Sequence, residues 1–340
     1  MQTTLWKYAA VAALAALCAF AQAPAAKTFP LRDTTGLVTL HTKAEAVKYQ
    51  GREAVRLLTE GSDNEGLAML PGTDFQDGAI EVDVAMKPLT PPGVRYPGFI
   101  GIAFRARPDG SHYDLFYLRP GNGIAKDQAM RNHAVQYSAQ PGFGWYPLRR
   151  EWPSVYESYA EIEPETWINV KIEVAGRAAK LYLNGSAKPS LAVDGLKGED
   201  LRGAVALWGF TNQESYFSNL RITPAAAQPL KNGSDVAGSW EVRYASDAGG
   251  MEASVKLTRE GNKVTGTWSG PLAEGSAVTG TWRDGYVELS FPAEWPKEAR
   301  QGAPGPVTAF LAGWIDGNSG KGRMRIQGRS DGTWTATRKE

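Results

Sequence analysis

Residues 78–86, GAIEVDVAM, alternate along the chain, with Ile80, Val82 and Val84 on one side and Glu81 and Asp83 on the other. Successive side chains of an extended strand point to opposite faces, so this period predicts a half-buried strand. The same rhythm runs through FIGIAFRAR (99–107), WINVKIEVAG (167–176), AAKLYLNG (178–185) and AVALWGF (204–210), each bounded by Gly, Pro or Asn-Gly. Asn184-Gly185 suits a tight turn that needs positive φ. From Gly36 onward, about a dozen such segments over roughly 190 residues predict a large antiparallel two-sheet sandwich. Apart from a short turn near Leu196–Leu201, no amphipathic helix of useful length is expected.

The stretch TPAAAQPLKNGSD (223–235) breaks the alternation with two Pro and three Ala, and reads as a linker. Beyond it the rhythm is shorter. VTGTW occurs at 264–268 and again at 278–282, GTWTA follows at 332–336, and RDGY (283–286) supplies an Asp-Gly turn. Short strands with tight turns predict a meander over 236–340 that closes into a small antiparallel barrel of about eight strands. The expected fold is therefore all-β, with a sandwich over 28–222 and a C-terminal barrel.

Composition changes this picture at the N-terminus. Lys7 is the only charge before an apolar run from Ala9 to Phe20, too short to span a bilayer and followed by Ala19-Phe20-Ala21. That layout predicts a secretory signal over 1–21 and a secreted or periplasmic protein with no membrane attachment after cleavage. Cys18, the only cysteine, would leave with the signal, so packing rather than disulfides must hold the mature chain. A formal net charge of +1 argues against a nucleic-acid partner, which needs a basic surface. With 3 His and no paired metal-ligand spacing, a transition-metal site is not expected. Nothing in the sequence bears on oligomeric state.

The order of FQDGAIEVDVAM, FIGIAFRARPDGSHYDLFYLRPGN, TWINVKIEVAGRAAKLYLNG and GAVALWGFTNQESYFSNLRI resembles the concanavalin A-like lectin/glucanase superfamily, which includes LamG modules and 3-keto-disaccharide hydrolase domains. The resemblance implies a concanavalin A-like jelly roll, and its members bind sugars, cut glycosides or mediate adhesion. Glucanases of this fold carry Glu-x-Asp-x-x-Glu on one strand, with the two glutamates about 5 Å apart as nucleophile and acid/base. EVDVAM supplies Glu81 and Asp83 but has Met86 in the last place, so that mechanism does not carry over. FRAR (104–107) and HYDLFYLRP (112–120) are similar to the Phe-x-x-Arg and Tyr-Glu-x-Gln strands of 3-keto-disaccharide hydrolase domains. Asp114 stands in place of Glu, and Phe116 in place of Gln. Jelly rolls of this type often carry calcium, so Ca²⁺ is possible, but no ligand set can be named. GSW (238–240) and the late Arg338 resemble the two ends of calycin (lipocalin and avidin-like) barrels. This implies Arg338 stacked on Trp240, a contact worth about 1 kcal/mol or more. Trp240, Trp268, Trp282 and Trp334 are expected to fill the barrel.

One stretch fits neither period. FGWYPLRREW (143–152) groups four rings around Arg149 and Arg150, and Pro147 and Pro153 interrupt strand and helix alike. It lies in an insertion of roughly 45 residues between LFYLRPGN and TWINVKIEV, longer than ordinary connections and therefore a candidate for function. Sugars are held by flat rings against their C–H faces and by planar polar groups around their hydroxyls, and this segment has both. The expected carbohydrate groove draws on Arg105, Tyr113, Tyr117, Arg119, Asn122, Arg131, Gln136, Trp145, Tyr146, Arg149 and Trp152. If the protein turns over glycosides, His133, Asp114 and Glu157 are the acid/base candidates. Three readings stay open: a secreted carbohydrate-binding protein, a glycoside hydrolase-like enzyme, and a non-catalytic cell-envelope adhesion module.

Overall fold

The computed structural model describes residues 25–339 except 61–63, 92, 199, 228–233, 248, 284 and 298–302, and omits the Glu151 side chain. The signal read over 1–21 and the middle of the linker lie outside the described residues. Among the described residues, fifteen strands precede the barrel. They are β1 (Lys27–Phe29), β2 (Val38–Leu40), β3 (Thr42–Tyr49), β4 (Arg52–Thr59), β5 (Glu65–Met69), β6 (Gly78–Pro88), β7 (Ile100–Ala106) and β8 (Tyr113–Leu118). After these come β9 (Val135–Gln140), β10 (Glu157–Ser158), β11 (Ile168–Ala175), β12 (Ala178–Leu183), β13 (Leu191–Val193), β14 (Ala204–Phe210) and β15 (Gln213–Pro224). One sheet has the order β13-β12-β11-β6-β15-β4-β3, with β1 also on β15. The other runs β10-β9-β8-β7-β14-β5-β2. This is a jelly-roll sandwich: the alternation predicts its two sheets, and the resemblance implies the jelly roll.

Its core lies between the sheets. Ile80, Val82 and Val84 of β6 and Phe217 of β15, all on one sheet, pack with Ile102, Phe104 and Phe116 of the other, all buried. Glu81 and Asp83 stay on the outer face, where Asp83 accepts hydrogen bonds from Arg52, Asn169 and Asn219. Met86 is buried in the core. The expected turn at Asn184-Gly185 is present, with φ of 51° and 71°. Strands β7 and β8 depart from the half-buried expectation: every residue of both is buried. The reason lies on the outer face of their sheet, which carries a second apolar layer including Leu67, Met69, Leu115, Tyr117 and Trp208.

Strands β16 (Gly238–Ser246), β17 (Gly249–Glu260), β18 (Lys263–Gly270), β19 (Ala273–Arg283), β20 (Tyr286–Trp295), β21 (Gly305–Asp316), β22 (Ser319–Ile326) and β23 (Ser330–Arg338) close into an antiparallel barrel. Closure leaves no unpaired edge. Trp240, Trp268 and Trp334 fill the interior, and Trp268 stacks on Phe291 at 4.4 Å. Trp282 differs, being half-buried under the Arg259 guanidinium. The Arg338 guanidinium sits 4.3 Å from the Trp240 ring centroid and donates to the carbonyls of Asp235 and Ala237.

Helix appears where none was expected. Three short helices occupy the insertion: α1 (Pro120–Gly123), α2 (Gln128–Arg131) and α3 (Trp145–Glu151), whereas the described residues of 196–201 are not helical. In α3, Gly144 is the N-cap and Pro147 falls in the first turn. First-turn N–H groups have no intrahelical partner, so a proline there removes nothing. Pro153 lies just past the C-cap Trp152, where the helix has already ended. No helix among the described residues is long and apolar enough to cross a membrane.

Candidate functional site

Strand pairing aligns one row of outward residues across the seven-stranded sheet. Glu157 of β10 lies beside Gln136 of β9, which lies beside Tyr117 of β8. Next come Gly101 of β7, Trp208 of β14 and Leu67 of β5. Gly101 is required there, because an added Cβ would stand 2.2 Å from Phe116 O and 2.7 Å from Tyr117 Cβ. The Tyr117 and Trp208 rings approach each other over it, with centroids 5.2 Å apart. A single carboxylate oxygen, Glu65 Oε2, accepts from Tyr113 Oη at 2.7 Å and Trp208 Nε1 at 3.1 Å, fixing these rings along the sheet. Burial pushes the Tyr117 phenol up to about 12 and raises Tyr113 as well.

At the β10 end of the row the chemistry becomes ionic. Arg119, 5% exposed, donates to Tyr117 Oη at 2.7 Å, His133 O at 3.1 Å and Gln136 Oε1 at 3.2 Å. Its guanidinium also faces the rings of Tyr117 and Phe99. Burial lowers its pKa, and the nearby Arg149 adds to that. Asn122 reaches the same carbonyl, His133 O, at 3.2 Å and accepts from Arg95. Glu157 is clasped by Arg149, with Nε 2.9 Å from Oε1 and Nη2 2.6 Å from Oε2, a planar fork matched to a carboxylate. His133 Nδ1 lies 2.8 Å from Glu157 Oε2, outside hydrogen-bonding geometry. Burial lowers the imidazole pKa despite that carboxylate, and Arg149 and Arg119 act in the same direction.

The rim is aromatic. Leu148 anchors α3 in the core, leaving Trp145 47% and Tyr146 58% exposed. Arg149 lies 4.9 Å from the Trp145 ring and Arg150 5.6 Å from that of Tyr146. Arg149 is thus held both by an exposed indole and by a buried carboxylate.

The expected residues therefore divide. Tyr117, Arg119, Gln136, His133, Arg149, Glu157 and Trp145 come together. Tyr113 shares their face, but its ring is buried. Four others, Arg105, Asp114, Arg131 and Trp152, are elsewhere. A bulge in β7 opposite Val205 breaks the alternation, and Arg105, at φ 53°, is buried with its guanidinium on Gln76 O, Asp77 and Gly176 O. Its guanidinium ties these loops together. Asp114 alternates to the inner face, accepting from Tyr137 Oη at 2.5 Å and Gly198 N at 3.1 Å, and burial raises its pKa. Asp114 and Glu157 thus lie on opposite faces of one sheet and cannot flank one glycosidic bond. Arg131 folds back on its own loop, donating to Ala125 O and Gln128 Oε1.

Trp152 does not join Arg149 in an open cleft. Its ring packs near Phe143 and Tyr156 beneath Lys197 Nζ, 3.9 Å from the centroid. Lys197 in turn meets Glu288 of β20 at 2.5 Å, which places Trp152 where sandwich and barrel join. Arg323 with Asp194, and Arg325 with Ser154 O, extend that junction. Glu65, Trp208 and Lys197 were not singled out from sequence. The outward phase of Trp208 in AVALWGF was a usable signal, but nothing local marks the other two. Among the described residues, no group of three or more His, Cys, Asp or Glu is arranged to hold a metal ion.

No family profile and no curated protein matches the chain. Among solved structures it is similar to a carbohydrate-binding module, CBM66, from Bacillus subtilis, at 15% identity and a TM-score of 0.38, over 55% of this chain and 96% of that one. It is also similar to a protein of unknown function with a galectin-like fold from Bacillus subtilis, at 12% identity and a TM-score of 0.41, over 61% and 99%. A third is a Bacillus licheniformis beta-glucanase, at 15% identity and a TM-score of 0.35, over 60% and 100%. Identities and scores this low carry no residue role across to this chain.

Proposed function

We propose that this is an exported carbohydrate-binding protein of the concanavalin A-like type, which holds a sugar at the rim formed by α3 and β10. One observation carries the reading: Trp145 and Tyr146 stand exposed beside Arg149, whose guanidinium is already oriented by Glu157. An exposed indole suits the C–H face of a pyranose, and a pre-oriented guanidinium loses little freedom on meeting hydroxyls. Glu157 engages Nε and Nη2 of Arg149, so Nη1 is the donor that would face the sugar. Nε2 of His133 would face it too. Deeper in the sheet, Arg119, Gln136 and Tyr117 support the rim rather than touch ligand, because they are buried.

Binding fits this arrangement better than hydrolysis. Both oxygens of Glu157 meet the Arg149 fork, and Asp114 lies across the sheet. Export, and with it a location outside the cytoplasm, is part of the proposal and is supported by the charge and hydropathy pattern of the N-terminal 21 residues. The test is tryptophan fluorescence titration of the mature protein against a panel of neutral oligosaccharides. A saturable change that disappears in Trp145→Ala supports the proposal, and the absence of a response to any sugar overturns it.

A further inference from the structure

We propose a second ligand site, for an acidic saccharide, in the crevice between sandwich and barrel. The crevice has a volume of about 510 Å³, within the roughly 300–1,000 Å³ usual for small-ligand sites, which favour such junctions. Phe143, Arg177 and Lys197 line it from the sandwich, and Asn262, Thr281 and Arg283 from the barrel. Three of these six are cationic, and none of the described residues lining the crevice is acidic.

The three cations differ in role. Lys197 is committed to Glu288 and to the Trp152 ring, so it forms wall rather than anchor. Arg177 is buried and donates to Gly198 O at 3.1 Å, which fixes its guanidinium at the back of the crevice. Arg283, at the end of β19, is half-buried, and among the described residues no carboxylate pairs with it. A guanidinium in this position favours an anion it can meet with two parallel N–H bonds. Around it stand the groups a sugar needs: the half-buried Phe143 ring for a C–H face, and the Asn262 amide and Thr281 hydroxyl for ring hydroxyls. The predicted ligand is a carboxylated or sulfated sugar of one or two residues. Three of the eight described lining residues belong to the barrel, which gives that region a role beyond its own packing. The site is separate from the α3 rim and does not depend on it.

Calorimetric titration of the full mature chain with digalacturonate, with the matching neutral digalactose and with sodium sulfate tests the proposal. Digalacturonate should bind in low salt, with affinity at least about tenfold above that of the neutral sugar and falling as salt rises. Arg283→Gln should weaken it about tenfold. Asn262→Asp, which puts a carboxylate in the mouth, should do the same without touching the barrel core. Trp145→Ala should leave it unchanged, separating this site from the rim. Equal binding of the two disaccharides, or digalacturonate affinity indifferent to both crevice variants, overturns the proposal. So does sulfate binding as tightly as the acidic sugar, since that marks a bare anion site.

Discussion

Trp268 and Trp145 are the same side chain in two regions that treat it oppositely. Inside the barrel, Trp268 lies flat on Phe291, with Val264 and Val278 of its own and the adjacent strand buried in the same core. On α3, Trp145 leaves nearly half its surface in solvent, and its company is Arg149 and Tyr146. A closed barrel sorts rings by strand phase and packs the inward ones against each other. A helix of seven residues buries one anchor, here Leu148, and has no second layer to cover the rest. A count of rings therefore says little about ligand binding; what matters is whether neighbouring backbone can close over them.

The comparison can be broken by substitution. Trp268→Ala, which empties a stacked and fully buried position, should cost about 3–5 kcal/mol, read from guanidinium unfolding of the intact chain. A loss below about 1 kcal/mol would mean that the barrel is not packed around this ring. Glu157→Ala should cost roughly 2–3 kcal/mol, less than the about 3–5 kcal/mol of a fully buried broken pair, because the Arg149 side chain is a third exposed. It should also weaken sugar binding, since Arg149 loses its orientation. Trp145→Ala should change stability by no more than about 0.5 kcal/mol while removing sugar binding; a large fall in stability would make this ring structural, like Trp268. The smallest effect concerns pH. The folded-state pKa of His133 is lowered, so the unfolded chain binds more protons near its ordinary value of about 6.5. The stability this contributes is complete above that value and declines as pH falls through the lowered folded value. Urea midpoints between pH 7 and pH 5 should therefore drop more in the natural protein than in His133→Asn.

Much of the fold was legible because strand periodicity is local. Val82 and Glu81 show which way β6 faces, Asn184-Gly185 shows where a hairpin turns, and the repeated VTGTW shows a meander. The same rule, applied strictly, would have turned Asp114 inward, since Tyr113 and Tyr117 face out. Arg105 could not be read this way, because a bulge opposite Val205 reverses its side and no neighbouring residue announces it. The α3 stretch was read as irregular because two prolines seemed to forbid a helix. Whether a proline breaks a helix depends on its distance from the N-cap, and Gly144 set that distance.

On its own, the sequence determined the all-β class, the sandwich followed by a small barrel, and the residue types available for sugar recognition. Each of these follows from chemistry repeated every second residue or from composition. Tertiary structure alone decided which of those residues meet. It gathered Glu157, Arg149 and His133 at one rim, sent Asp114 to the opposite face, and packed the half-buried Trp152 under Lys197 at the barrel junction. Such meetings depend on strand order and on loops packing from distant parts of the chain, and neither leaves a local trace in the residues that are brought together.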